Sequence, residues 1–223
     1  MKFIIKPSLA SDVWNWQVVA DHKGSYGQNW RADWPKDLSL KDARDKNKMR
    51  AYLARKYYRK GAVQKYVDWL EATVEPKKID NIIYEITGHR VPFKVVKVTP
   101  TTYTRCPYDA DGGGFFIHYS SGPRWVYRTA AHECMHFVVH KYYWKQMRDA
   151  GLSDQQVHDI KESLTVLLNP VFEARWGGTE NGYPNHQNLR KDIKKIATTT
   201  KNFDEIIERT TKLFLKKYIK QVS

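Results

Sequence analysis

Two cysteines in 223 residues, Cys106 and Cys134, are too few for a disulfide framework, and they form no C-x-x-C metal knuckle. Long apolar runs are missing as well; none exceeds a few residues, so no stretch offers a membrane span. The N-terminal MKFIIKPSLASD has too short an apolar segment for a secretory signal, and Pro7 closes it early. It reads as a first strand over 2–6, and a cytoplasmic setting is the expectation. Acids are scarce beside bases, 24 against 38. No internal repeat, low-complexity tract or clear linker breaks the chain, so one α+β domain across 1–223 is expected.

What is abundant is aromatic and basic. Eight Trp and 14 Tyr in a chain 41% apolar mark a folded composition and not a disordered one. The net charge of +14 is concentrated in two flanks of helical pattern. Residues 36–66 hold 11 Lys/Arg against 3 acids, and 189–220 hold 10 against 4, while the middle of the chain is close to neutral. Such flanks are ordinarily solvated helix faces; the sharper reading is a surface for nucleic acid or an acidic partner. No nucleic-acid motif accompanies the charge.

Residues 11–36, with Trp14, Trp16, Trp30 and Trp34 among Gly, Asn and Asp, suggest an irregular packed loop. Ser39 is a plausible cap for a helix over Leu40–Tyr58, which Gly61 stops. Further helical pieces are expected over 62–74 and 78–87, the last ended by Gly88. The pattern then changes to period two, predicting strands at Val91–Thr99, bounded by Pro100, and at Gly114–Ser120. From Pro123 the pattern is helical again as far as Asp149, with Gly151 as C-cap. Ser153 and Gln156 form a capping box for the next helix, which Pro170 should end or kink. A last helical region covers about 187–219, with a break near Thr198–Asn202.

The chemistry concentrates at His132-Glu133-Cys134-Met135-His136. Four residues of helix turn about 400°, so both imidazoles lie on one face, one turn apart, within reach of one Zn²⁺. Glu133 is displaced by about 100°, placed to act on a water without ligating the metal. Cys134 lies about 200° from His132 and cannot easily join them. The flanks Ala130, Ala131, Phe137, Val138 and Val139 make the helix apolar on most sides. Two histidines and a carboxylate buried there would be costly without a partner, and a metal supplies one.

This motif, preceded by an apolar strand and followed by a second helix, resembles the zincin superfamily of metallopeptidases over roughly residues 91–170. The resemblance implies a mainly helical α+β fold whose small mixed sheet places an edge strand beside the H-E-x-x-H helix, with Gly114–Ser120 suited to that role. It implies zinc as cofactor, a peptide or protein as substrate, and Glu133 as general base. The metzincin continuation fails, because Val139 and Tyr142 stand where a Gly and a third His are needed. His140 is about 12 Å beyond His132 along the helix, too far for the same ion. In the gluzincin subgroup a Glu of the following helix completes the site, and Glu162 in Lys161-Glu162-Ser163-Leu164-Thr165 is similar to that segment. Glu173, Asp159 and His158 remain alternatives. An apolar stripe of Val157, Ile160, Leu164, Leu167 and Val171 faces away from Glu162, and Val166 occupies the place where gluzincins often carry a further acid. Zincins also draw a Tyr or His from a downstream turn to stabilise an oxyanion, which nominates Tyr183 and His186.

The expectation is therefore a zinc peptidase. The alternative is a nucleic-acid-associated protein using its basic flanks, either as a protease acting on nucleic-acid-bound proteins or as a non-catalytic binder.

Overall fold

A computed structural model describes residues 1–218; the last positions of the final helical region and of the second basic flank, from 219 onward, lie outside the described residues. The elements in chain order begin with β1 (Lys2–Ile5), α1 (Leu9–Asp21), α2 (Leu40–Arg44), α3 (Lys46–Leu53), α4 (Ala62–Thr73) and α5 (Pro76–Thr87). Next come β2 (Val95–Thr101), β3 (Tyr108–Asp109), β4 (Gly114–His118) and α6 (Pro123–Val138). Helices α7 (Trp144–Asp149), α8 (Asp154–Leu164), α9 (Asn169–Trp176), α10 (Gln187–Ala197) and α11 (Phe203–Lys217) complete the order. The fold is α+β and mainly helical, with a small mixed sheet, as expected. No helix among the described residues is long and apolar enough to cross a membrane. The chain divides into two compact units, Met1–Pro76 with Phe93–Thr129, and Lys77–Pro92 with Ala130–Ser223.

The first unit holds the sheet, in the order β1-β2-β4-β3. β1 and β4 pair parallel with β2, and the two-residue β3 pairs antiparallel with β4. β4 thus has β2 on one side and a short cover over Gly114 and Phe115 on the other. Pro100, expected to close its strand, lies inside β2 opposite Ile117. The β1 ladder ends at Val98, so the missing N–H of Pro100 falls past the end of that ladder.

Residues 9–21 form a helix where a loop was expected. Ser8 caps α1 by accepting from Ser11 N–H. The buried positions Asp12, Val13, Asn15, Trp16, Val19 and Ala20 recur at helical spacing, but two of them are polar and break the hydrophobic pattern. Both polar groups are used. Asp12 accepts from the Thr101 hydroxyl (2.7 Å), the Thr102 N–H (3.0 Å) and the Thr102 hydroxyl (2.7 Å). Asn15 Nδ2 donates to Thr101 Oγ1 and to the carbonyl of Arg105. Trp16 is fully buried edge-on to Trp34 and Tyr103.

The helix expected over Leu40–Tyr58 begins at Ser39 as read but is broken at Asp45. That residue is extended (φ −75°, ψ 111°) and caps α3 by accepting from the N–H groups of Asn47 and Lys48. After Leu53 the chain widens into a π turn over Ala54–Tyr58, closed by Arg59 N–H to the Ala54 carbonyl at 2.8 Å. Gly61, at φ 70°, ends it as expected.

The second unit is helical. α5 buries Ile79, Ile82 and Ile83, and Gly88 ends it. The pattern read as one helix to Asp149 is interrupted by a π turn at Val139–Tyr143. Gly151 takes the left-handed conformation (φ 101°), and the Ser153–Gln156 capping box starts α8. α8 stops at Leu164, six residues before Pro170. A 3₁₀ turn at Thr165–Leu168 follows, and Pro170 sits in the first turn of α9, where its missing N–H costs nothing. The last helical region is broken at 198–202, as read from the sequence. α10 packs on α8 and α11 through Leu189, Ile193 and Ile196.

Candidate metal centre

The second unit contains the whole cluster. Its first two members sit on the C-terminal part of α6, where Ala130, Ala131, Cys134, Met135, Phe137 and Val138 are buried to within 1%. An amphipathic surface helix would expose one face; this segment buries nearly all of them, so its polar residues need partners of their own. His132 and His136 stack edge-to-face with ring centroids 4.3 Å apart.

Glu162 comes from α8. It is 8% exposed, because α8 is buried at five successive positions from Ile160 to Leu164. Its Oε2 lies 3.5 Å from His132 Nε2 and 3.2 Å from His136 Nε2. One ligand atom from each of His132, His136 and Glu162 falls within 4.8 Å of the others, close enough to hold a metal ion. Metal–ligand bonds of 2.0–2.1 Å at tetrahedral angles give ligand–ligand edges of about 3.3 Å, close to these two separations.

The donors fit a cation on a second count. Glu162 Oε2 and Glu133 Oε2 are buried oxygens with no hydrogen-bond partner among the described residues, a costly state that a bound cation would relieve. Burial lowers His136 to about 3, so its imidazole is neutral, the form that ligates. Burial also works to raise Glu162, but the neighbouring His136 and His132 and the Lys161 ammonium outweigh it and hold the carboxylate well below its usual range. Lys161, itself 1% exposed, places its Nζ 2.8 Å from Glu162 Oε1. One carboxylate oxygen is thus engaged by Lys161 while the other faces the two imidazoles.

The sequence reading missed Glu180. Its Oε2 lies 2.7 Å from His132 Nδ1, so that nitrogen carries the proton and Nε2 is left toward the cluster. Burial disfavours a charged His132, yet the Glu180 carboxylate overrides it and raises the imidazole well above its ordinary value. Reciprocally, burial acts to raise Glu180, but His132 and then Arg190 draw it down to about 2. Its position is built from three sides. Asn169 bonds both its N–H and its carbonyl (2.8 and 3.0 Å), Thr165 donates to Oε1 (2.9 Å), and Arg190 donates to its carbonyl (2.8 Å). Glu180 thus reaches His132 from the segment after α9 and not from α8. It sits in the turn-rich segment 177–182, where Gly177, Gly178 and Gly182 all have positive φ, so no periodicity announced it.

The remaining expected residues lie elsewhere. Glu173 is exposed on α9. His140 stacks on Trp144 at 4.3 Å, near His158, and burial lowers it to about 4. His186 is buried with Nε2 3.1 Å from Asp159 Oδ1, and Tyr183 meets it edge-on. Comparison with known protein families, with curated proteins and with solved structures finds no match for this chain.

Proposed function

We propose that the protein is a zinc-dependent peptidase in which His132, His136 and Glu162 hold the metal and Glu133 is the general base. The observation that carries this reading is the convergence of two imidazole nitrogens and one carboxylate oxygen beside a second buried carboxylate, Glu133, whose Oε2 has no hydrogen-bond partner among the described residues. A two-His, one-Glu donor set suits zinc better than magnesium or calcium, which favour all-oxygen surroundings. Three protein ligands leave room for a fourth position, the mark of a catalytic site rather than a structural one. Bound there, zinc supplies Lewis acidity toward a carbonyl oxygen and toward water.

The chain's own residues supply the proton chemistry. Burial pushes the Glu133 carboxyl up to about 7, against the pull of His132, so the group exchanges a proton readily near neutral pH. In the proposal Glu133 takes the proton that the attacking water loses and passes it to the leaving amine. Glu180 fixes the ring of His132, and Lys161 fixes the orientation of Glu162. Tyr183 and His186, expected to stabilise an oxyanion, are engaged with each other and with Asp159, and the proposal assigns them no step.

The test joins metal content by elemental analysis to cleavage of a peptide library. About one zinc per chain is expected, lost in His132→Ala. Glu133→Gln should keep the zinc and lose hydrolysis. A Glu133→Gln variant of full activity, or a wild-type protein that takes up no zinc when offered it, refutes the reading.

A further inference from the structure

The basic stretch 36–66 is not uniformly charged once folded. Arg44 pairs with Asp21, Lys48 with Asp42 and Lys56 with Asp37, at 2.7–3.0 Å. Lys46, Arg50, Arg55 and Arg59 are exposed, and none of the four has a carboxylate partner among the described residues. All four belong to the first unit and to the continuous run of α3 and the π turn behind it.

That π turn decides where they point. Along an uninterrupted α-helix, thirteen residues would carry Arg59 to about 220° round the axis from Lys46. The turn at Ala54–Tyr58 absorbs one extra residue, which brings Arg59 back to about 120°. The apolar residues Met49, Tyr52 and Leu53 are buried about 300°, 240° and 340° round the axis, opposite Arg59, so Lys46 stands at the edge of the buried face and Arg50 next beyond it. The result is an exposed band of four cations, about 6–8 Å apart along the axis over roughly 20 Å and spread round about half of the helix. A duplex strand presents one phosphate per 3.4 Å of axis, so the band is as long as about six phosphates.

We propose that this band is a nucleic-acid interface that grips the phosphate backbone without reading bases. Three of the four cations are Arg, whose planar fork bonds phosphate oxygens two at a time. A lipid surface is disfavoured because an interfacial helix needs an outward apolar face. Among the described residues the large exposed apolar ones, Ile4, Trp14, Tyr84, Trp125 and Tyr142, all lie outside 46–59. The inference is independent of the peptidase reading, since it uses none of the metal-centre residues.

The experiment is fluorescence anisotropy of the full chain with a labelled 20-base-pair duplex of random sequence, between 50 and 200 mM salt. Four phosphate contacts give a log–log salt slope of about −3.6, a loss of roughly 150-fold in affinity over that range. Arg50→Ala/Arg55→Ala/Arg59→Ala should bind more weakly and keep a slope of only about −1. Lys194→Ala/Lys195→Ala/Lys216→Ala removes the same charge from exposed sites elsewhere and should leave the slope unchanged. Glu133→Gln should bind like wild type, so a failed peptidase assay and a failed binding assay remain separable. The proposal is overturned if no salt-dependent binding occurs at 50 mM, or if the Arg variant keeps the wild-type slope. It is also overturned if the Lys control loses as much, or if vesicles containing phosphatidylserine or polyglutamate bind more tightly than the duplex.

Discussion

Lys161→Met separates a lysine that merely fills space from one that compensates the charge of the metal centre. Lys161 is 1% exposed with its ammonium 2.8 Å from Glu162 Oε1, so each partner is the main reason the other can be buried. Met fills a similar volume without the charge. In the metal-free protein it leaves the buried Glu162 carboxylate with only the two imidazoles beside it, and breaking such a pair from one side costs about 3–5 kcal/mol. For a chain of this size each kcal/mol moves Tm by about 2–4 °C, so the metal-free variant should melt about 6–20 °C below wild type. Zinc changes the account, because a divalent cation at Oε2 compensates the same carboxylate. The cost therefore falls on the metal-free state, and the rise in Tm on zinc saturation should be larger in Lys161→Met than in wild type.

A double-mutant cycle closes the argument. Lys161→Met/Glu162→Gln removes both charges together, and its metal-free form should regain most of the lost stability while giving up zinc. The assay is thermal unfolding of metal-free and zinc-saturated wild type, both single variants and the double. Two results would refute the reasoning: an equal loss in Lys161→Met with and without zinc, or a double variant as unstable as that single.

The parts of this site legible in the sequence are those set by local periodicity. His132, Glu133 and His136 could be placed relative to one another because four residues of helix dictate their bearing, whatever the rest of the chain does. Glu162 was nameable but open to objection, since the stripe from Val157 to Val171 faced away from it. That objection assumed that α8 has a solvent side. The helix is packed on nearly all sides, so a residue opposite the apolar stripe is buried as well. Glu180 was not legible at all, because its place depends on glycines at positive φ folding an aperiodic segment back onto Asn169 and Thr165.

The fold shows the same division. Gly61, Gly88, Gly151 and the Ser153 capping box mark their boundaries through chemistry confined to a few residues. α1 was missed because Asp12 and Asn15 occupy core positions, and their partners Thr101 and Thr102 are nearly ninety residues away in the chain. Asp45 did carry a local signal, a residue that favours N-caps, but the basic run on both sides of it read as one helix. The π turns rest on backbone bonding one residue wider than the α pattern, which leaves no mark in hydrophobic spacing.

Glu180→Gln keeps an acceptor for His132 Nδ1 and can turn its amide toward Thr165, so it should weaken zinc binding only about tenfold; Glu180→Ala loses both and should approach about 100-fold. Competition with a zinc chelator measures both, and an Ala variant with wild-type affinity would show that the contact orients nothing. Asp12 provides a test of the first unit through pH. Burial raises its carboxyl above the ordinary value of 3.8, against the four hydrogen bonds it accepts from Thr101, Thr102 and Tyr58. Because the folded value exceeds the unfolded one, the folded chain holds this proton more tightly. The contribution is fully present below about 3.8 and is lost as pH rises through the raised value. Asp12→Asn cannot titrate there, so the stability difference between wild type and variant, from urea unfolding at several pH values, should shift toward wild type as pH falls from neutral. A difference that stays flat with pH would mean that the folded chain does not raise this carboxyl, and that the hydrogen bonds from Thr101 and Thr102 fully offset its burial.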